Sequence, residues 1–236
     1  MGMIGSVLVG SAILLCMLLL EKKRYQLTMK KLFAIHIIMT VFTTVGACLG
    51  SFIGGESILG LRLYGILIID TIVMFVLPKK FQMDVGRFSD YMAAPIIAVC
   101  AIVKIPCLIT GCCSGKELFF DAAGNAVYFP SQIVEFSIWV LLTLWLVMIE
   151  CRGNHKNLLW SIASIWFGLF RYLVDFMRKY PTELHILGMP ASQFWSLFVV
   201  AMGVLFMVYS FRKYWGRNPS VIEVIKVIFG IKLNKD

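Results

Sequence analysis

Charge is what this sequence is short of. Only 15% of its 236 residues are Asp, Glu, Lys or Arg, while 60% are hydrophobic. A soluble globular domain carries about 25% charged residues. The surplus apolar surface must face something other than water, which excludes an ordinary soluble domain and leaves a membrane-embedded one. Acidic residues are the scarcer sign: 13 stand against 22 Lys and Arg, for a net charge of +9. That excess would suit nucleic acid, but the basic residues cluster in short loops between apolar runs and in the C-terminal tail, as membrane topology dictates. No nucleic-acid partner is expected. Low-complexity segments, long linkers and convincing internal repeats are absent, in keeping with one compact domain. Residues 1–20 lack a basic leading region and a small-residue cleavage site, so they read as a retained first span and not as a signal peptide.

Metal-binding patterns are thin as well. The three histidines show no ligand spacing. The cysteines (Cys16, Cys48, Cys100, Cys107, Cys112, Cys113 and Cys151) are odd in number and lie mostly in or beside apolar runs, unlike a secreted disulfide framework. In the GCCSG stretch at 111–115, with Cys107 one turn earlier, the adjacent cysteines are poor chelators, and zinc asks for four well-spaced ligands. A small-residue turn at a helix end with thiols as packing is the expectation. Neither a metal nor another cofactor is expected.

What the chain does have is seven apolar runs, at about 2–20, 32–53, 58–77, 90–110, 128–149, 158–178 and 191–211. Each is about the length a helix needs to cross the roughly 30 Å of bilayer hydrocarbon. The fold class expected is an all-α integral membrane protein of about seven transmembrane helices. Lys22, Lys23, Arg24, Lys30 and Lys31 follow the first run; Lys79, Lys80 and Arg87 the third; Arg152 and Lys156 the fifth. Arg212, Lys213, Arg217, Lys226, Lys232 and Lys235 follow the seventh. Positive loops stay in the cytoplasm, so the N-terminus is expected outside and the C-terminus cytoplasmic. Residues 1–213 then form the membrane domain and 214–236 a basic amphipathic tail, suited to a surface of anionic lipid or to a docking partner.

Ionisable groups inside these runs are costly unless paired or facing a polar cavity, and are functional by default. The sixth run carries Arg171, Asp175 and Arg178, whose spacings of four and seven put them on one helix face. Two cations against one carboxylate suit a phosphate; a salt bridge locking helices together is the plainer alternative. Lys104 lies in the fourth run near Pro106, which frees backbone groups to line a cavity. A lysine snorkelling to the interface competes with that reading. At the start of the fifth run, Pro130 precedes Ser131, Gln132 and Glu135, and the last two share a face. Glu135 there is either a helix cap or a general base or orienting carboxylate. Tyr64-Gly65 in the third run pairs a phenol with a glycine that permits close helix approach. Asp90 reads as an N-cap of the fourth helix.

FPSQIVEF at 129–136, GLFRYLVDFMR at 168–178 and SQFWSLFVVAMG at 192–203, in that order and spacing, resemble prolipoprotein diacylglyceryl transferases. The likeness extends back through LYG at 63–65 and DYMAAPIIAVCAIVKIPCLITGCCSGK at 90–116, covering roughly 55–205. The resemblance implies a multi-pass enzyme of the bacterial cytoplasmic membrane. It would transfer a diacylglyceryl group from phosphatidylglycerol to the lipobox cysteine of a preprolipoprotein, the first step of lipoprotein maturation, and release glycerol 1-phosphate. Its partners would be phosphatidylglycerol or another anionic phospholipid and the lipobox segment. By position, Arg171 matches the family's essential arginine, Asp175 its acid, and Gln132 and Glu135 its proline-x-glutamine-x-x-glutamate motif. Gly115 closes the family signature, and Tyr64 stands where the family often has histidine. The catalytic set implied is Arg171, Lys104, Tyr64 and Glu135, with Gln132, Asp175, Arg178, Gly115 and Cys107 binding substrate. The signature itself departs: Lys104 replaces its arginine, Pro106 a glycine, Cys107 and Thr110 its asparagines and Cys112 its glutamate. Lysine keeps the charge without the bidentate fork. Two other readings stay open: a relative moving another lipid group to a different acceptor, and a non-catalytic lipid-binding or transport protein.

Overall fold

The computed structural model describes residues 3–53, 63–111, 115–121, 123–153, 155–179 and 185–233. Cys112 and Cys113 lie outside the described residues, as does the side chain of Tyr64. The elements are α1 (Met3–Tyr25), α2 (Met29–Ile53), α3 (Leu63–Phe81), α4 (Val85–Ile102), α5 (Ile105–Thr110), β1 (Glu117–Phe120), β2 (Ala126–Tyr128), α6 (Ser131–Arg152), α7 (Leu159–Asp175), β3 (His185–Ile186), β4 (Met189–Pro190), α8 (Ala191–Trp215) and α9 (Val221–Ile228). The protein is a helical bundle with two small antiparallel hairpins, β1–β2 and β3–β4. Among the described residues four stretches are long and apolar enough to cross a membrane: Met29–Phe52, Val85–Ile109, Ser131–Arg152 and Ala191–Trp215.

Helix α4 is the centre of the bundle. Nearly every residue from Val85 to Ala101 is buried, and α1, α3, α6 and α7 all pack on it. It starts earlier than the sequence suggests because Asp84 caps it, accepting from the Gly86 amide at 2.9 Å. The expectation that Asp90 caps α4 is therefore corrected. Asp90 is buried inside the helix and accepts from the backbone amides of Asn157 (2.5 Å) and Leu159 (3.0 Å), so it fixes the start of α7.

The outer helices associate through small residues, as expected where lipid removes the hydrophobic drive between helices. A side chain on Gly65 of α3 would run into the backbone of Gly46 and Gly50 on α2. A side chain on Gly168 of α7 would meet the Ser196 carbonyl and Val200 of α8, both at 2.6 Å. Tyr64-Gly65 thus marks a close helix crossing, as its sequence indicates.

The basic loops gather at one end of the bundle. Arg24 pairs with Glu150 at 3.2 Å, the Arg87 guanidinium donates to the Tyr25 carbonyl and Lys31 to the Phe81 carbonyl (both 3.0 Å), and Lys213 pairs with Asp84 at 3.0 Å. At the same end α9 opens with a reciprocal capping box between Ser220 and Glu223. Its end is held to the bundle by the Trp166 indole N–H, which donates to the Ile228 carbonyl at 2.6 Å. Val221, Ile222, Ile225 and Phe229 remain exposed, an apolar face on α9.

Filling the α7–α8 contact is predicted to separate the helices. Gly168→Val should lower stability by about 1–3 kcal/mol, the usual cost of overpacking. Thermal unfolding of the detergent-solubilised protein would read this as a lower midpoint, and an unchanged midpoint would contradict the crossing.

Candidate active site

The end of the bundle opposite the basic loops holds a cluster of buried charge. It forms because α4 breaks. Helical bonding runs out at Val103 and Lys104, and α5 restarts with Pro106 in its first turn, where the missing N–H costs nothing. The break turns Lys104 into the bundle, where it is 9% exposed. Its ammonium lies 2.5 Å from Oε2 of Glu135, in the second turn of α6. The snorkelling alternative for Lys104 is thereby set aside. So is a capping role for Glu135, whose side chain is 1% exposed and whose carboxylate is engaged by cations from other segments.

Glu135 is the hub. Its Oε1 accepts from Arg171 at 2.6 Å and from Arg178 at 3.0 Å. Arg171 also pairs through Nη2 with Asp175 Oδ1 at 2.9 Å, one turn along α7. Among the described residues the result is three cations and two carboxylates, all nearly buried, with one positive charge in excess. Charge-assisted bonds of this kind are the strong ones, and in a low dielectric they hold only while every member is present.

One placement differs from expectation. Arg178 does not continue the α7 face, because the helix ends at Asp175 and the chain leaves through a tight turn closed by the Phe176 and Met177 amides on the Leu173 and Val174 carbonyls. Beyond the turn Arg178 forms an antiparallel bridge with Gly115. The Lys116 amide donates to Met177 (2.7 Å) and the Gly115 amide to Phe129 (2.9 Å). Gly115 is squeezed between these strands: a Cβ would meet Phe129 at 2.6 Å and the Met177 carbonyl at 2.7 Å. Its value is close backbone approach, which delivers Arg178 to Glu135 from outside the helix.

Lys104, Glu135, Arg171, Asp175, Arg178 and Gly115 are therefore brought together. Gln132 lies one turn before Glu135 on α6 and Cys107 one turn past Lys104 on α5, both half-buried. Tyr64 heads α3, its side chain outside the described residues. Asp70 was missed. Fully buried in α3, it accepts only from Thr43 among the bonds described, at 3.1 and 3.3 Å. Its signal was visible, a single carboxylate in the run ILIIDTIVMF.

The sequence profile described as prolipoprotein diacylglyceryl transferase matches residues 2–209. The chain belongs to that family. Among curated relatives, the phosphatidylglycerol–prolipoprotein diacylglyceryl transferase of Clostridium tetani is 27% identical over 165 residues, covering 65% of this chain and 66% of that protein. The second such transferase of Clostridium perfringens is 27% identical over 173 residues, covering 68% and 66%. That of Dehalococcoides mccartyi is 24% identical over 175 residues, covering 70% and 65%. The chain thus spans just under two thirds of the length of these relatives.

Glu135 is predicted to dominate the stability of this end. Glu135→Ala removes the carboxylate that three buried cations share and should cost about 3–5 kcal/mol. Lys104→Met, which leaves both arginines paired, should cost less. Thermal midpoints of the two variants in one detergent would test the order, and a smaller effect for Glu135→Ala would refute the hub.

Proposed function

We propose that this protein transfers a diacylglyceryl group from phosphatidylglycerol to the lipobox cysteine of a preprolipoprotein. The observation that carries the reading is the Lys104–Glu135–Arg171–Arg178 cluster with its excess positive charge at one end of an apolar bundle. Family membership supplies the reaction class. The bundle would lie in the bacterial cytoplasmic membrane with seven helices crossing it, the N-terminus outside and the basic-loop end in the cytoplasm. That orientation puts the cluster toward the outer face, where a lipobox cysteine would be met.

In this reading Arg171, Arg178 and Lys104 take the phosphate. Arginine presents five donors in a planar fork and lysine three on a point charge, so the set suits a phosphodiester. The substrate sulfur forms a bond to the glycerol carbon of the diacylglyceryl group as the bond from that carbon to the phosphate oxygen breaks. The electron pair leaves on glycerol 1-phosphate, whose added charge the three cations stabilise. The thiol proton leaves to a base, since only the thiolate is strongly nucleophilic. Glu135 serves to orient the cations, because accepting a proton would dismantle three ion pairs at once. Asp175 aims Arg171, and Gln132 and Cys107 flank the headgroup.

The test is a mass-shift assay of purified protein with phosphatidylglycerol and a lipobox peptide. The peptide should gain a diacylglyceryl mass with release of glycerol phosphate, and Arg171→Ala should abolish the gain in protein that still unfolds cooperatively. Lys104→Arg should retain or raise activity. Full activity in Arg171→Ala would sink the phosphate clamp. No shift beside an active family control would point to another donor, another acceptor or a binding role.

A further inference from the structure

About 22 Å along α6 from Glu135, at 1.5 Å per residue, the basic-loop end holds a cavity of about 360 Å³ that the chemistry above does not use. It lies between the end of α1, the start of α4, the end of α6 and the loop into α7. Its volume is at the small end of ligand sites.

The cavity has two chemically distinct halves. Three exposed cations, Arg24, Arg87 and Lys156, line its edge. Among the described residues, the interior carries buried acceptors that lack donors. The Glu150 side chain is 5% exposed. Its Oε1 accepts from the Tyr25 hydroxyl at 2.6 Å and from Arg24, while Oε2 has no hydrogen-bond partner. His155 is 2% exposed; its Nε2–H donates to the Ile231 carbonyl at 3.0 Å, and Nδ1 is unpartnered. Burial depresses the basicity of this ring against the opposing pull of the Ile231 bond, so Nδ1 is a bare acceptor. Behind Glu150 lies the buried Glu21 carboxyl, which has no donor from another residue type and can hydrogen-bond to Glu150 only through a proton carried by one of the two acids. One proton shared between Glu21 and Glu150 would engage one oxygen of each and still leave a Glu21 oxygen and His155 Nδ1 unsatisfied. Unmade bonds at buried polar atoms are costly, and Asp90, the other carboxylate lining the cavity, is already committed to the α7 amides.

We propose that this cavity binds a small phosphate ester carrying a hydroxyl or ammonium donor, with the phosphate at Arg24, Arg87 and Lys156 and the donor group at Glu150 and His155. A cationic edge over an acceptor floor is complementary to a molecule with an anion at one end and donors at the other. A phospholipid headgroup of the adjoining leaflet and a free ester such as glycerol phosphate share that chemistry. The site is separate from the Glu135 cluster and stands whether or not that cluster transfers lipid.

The test titrates the purified full chain with glycerol 3-phosphate and phosphoethanolamine, and with the dihexanoyl phosphatidyl form of each. Binding should occur, and Lys156→Ala and Arg87→Ala should each weaken it by about tenfold, the worth of one charge-assisted contact. Lys156 is an exposed loop residue, so its variant keeps the fold. Glu150→Gln should weaken phosphoethanolamine, whose ammonium loses a charged partner, more than glycerol 3-phosphate. Binding of the short-chain lipids alone, weakened by both cation variants, identifies the source as the leaflet; binding of the free esters, weakened in the same way, identifies a soluble ligand. Absence of binding by all four, or binding indifferent to both cation variants, would show a cavity holding only water and overturn the proposal.

Discussion

A single carboxylate organises one end of this protein. Glu135 enters from α6, Lys104 from the break between α4 and α5, Arg171 from α7, and Arg178 from the isolated bridge to Gly115 that follows α7. None of these groups could be buried alone, because the cost of an isolated ion in a low dielectric is several kcal/mol even after relaxation. Their meeting therefore specifies how four segments are arranged. The central helix must break where it does, α7 must end at Asp175, and Gly115 must stay without a side chain so that the backbone can bring Arg178 inward.

The two ends of the bundle solve the same electrostatic problem differently. At the Glu135 end the cations are buried and share one carboxylate. At the basic-loop end the cations stand at the surface and the buried carboxyls of Glu21 and Glu150 are under-supplied with donors. The first arrangement is rigid and carries a positive excess inside the bundle. The second presents opposite charges in sequence from surface to interior. Between them α4 supplies a continuous apolar core, with Tyr91 and Phe88 fully buried, that keeps the two polar sites from merging.

Most of the helices were legible from hydropathy because membrane spans announce themselves by length, and the run at 191–211 appears as α8 with only its end extended. Local chemistry was read less well where it depends on distant partners. Asp90 looked like a cap because aspartate before an apolar run usually is one; its true partners, the amides at the start of α7, are 67 and 69 residues away. The charged residues of the cluster were each visible as anomalies, but the sequence offered Arg171, Asp175 and Arg178 as one helical face. What it could not convey is that Glu135, far away in the chain, is the group they share. Arg178 misled for a related reason: a spacing of seven is helical only if the helix continues, and backbone pairing with the strand at Gly115 ends it first.

The ion cluster also sets a problem of timing. Lys104 and Glu135 are made before Arg171 and Arg178, which follow Glu135 by 36 and 43 residues. At ribosomal speeds of about 5–20 residues per second, Glu135 waits roughly 2–7 s for its first arginine. During that interval a carboxylate and an ammonium sit in helices that have no completed bundle around them. Until α7 emerges, the Lys104–Glu135 pair is the part of the cluster that can form. The charge balance of this end is thus completed late, by the segment that brings in Arg171 and Arg178 together with Asp175.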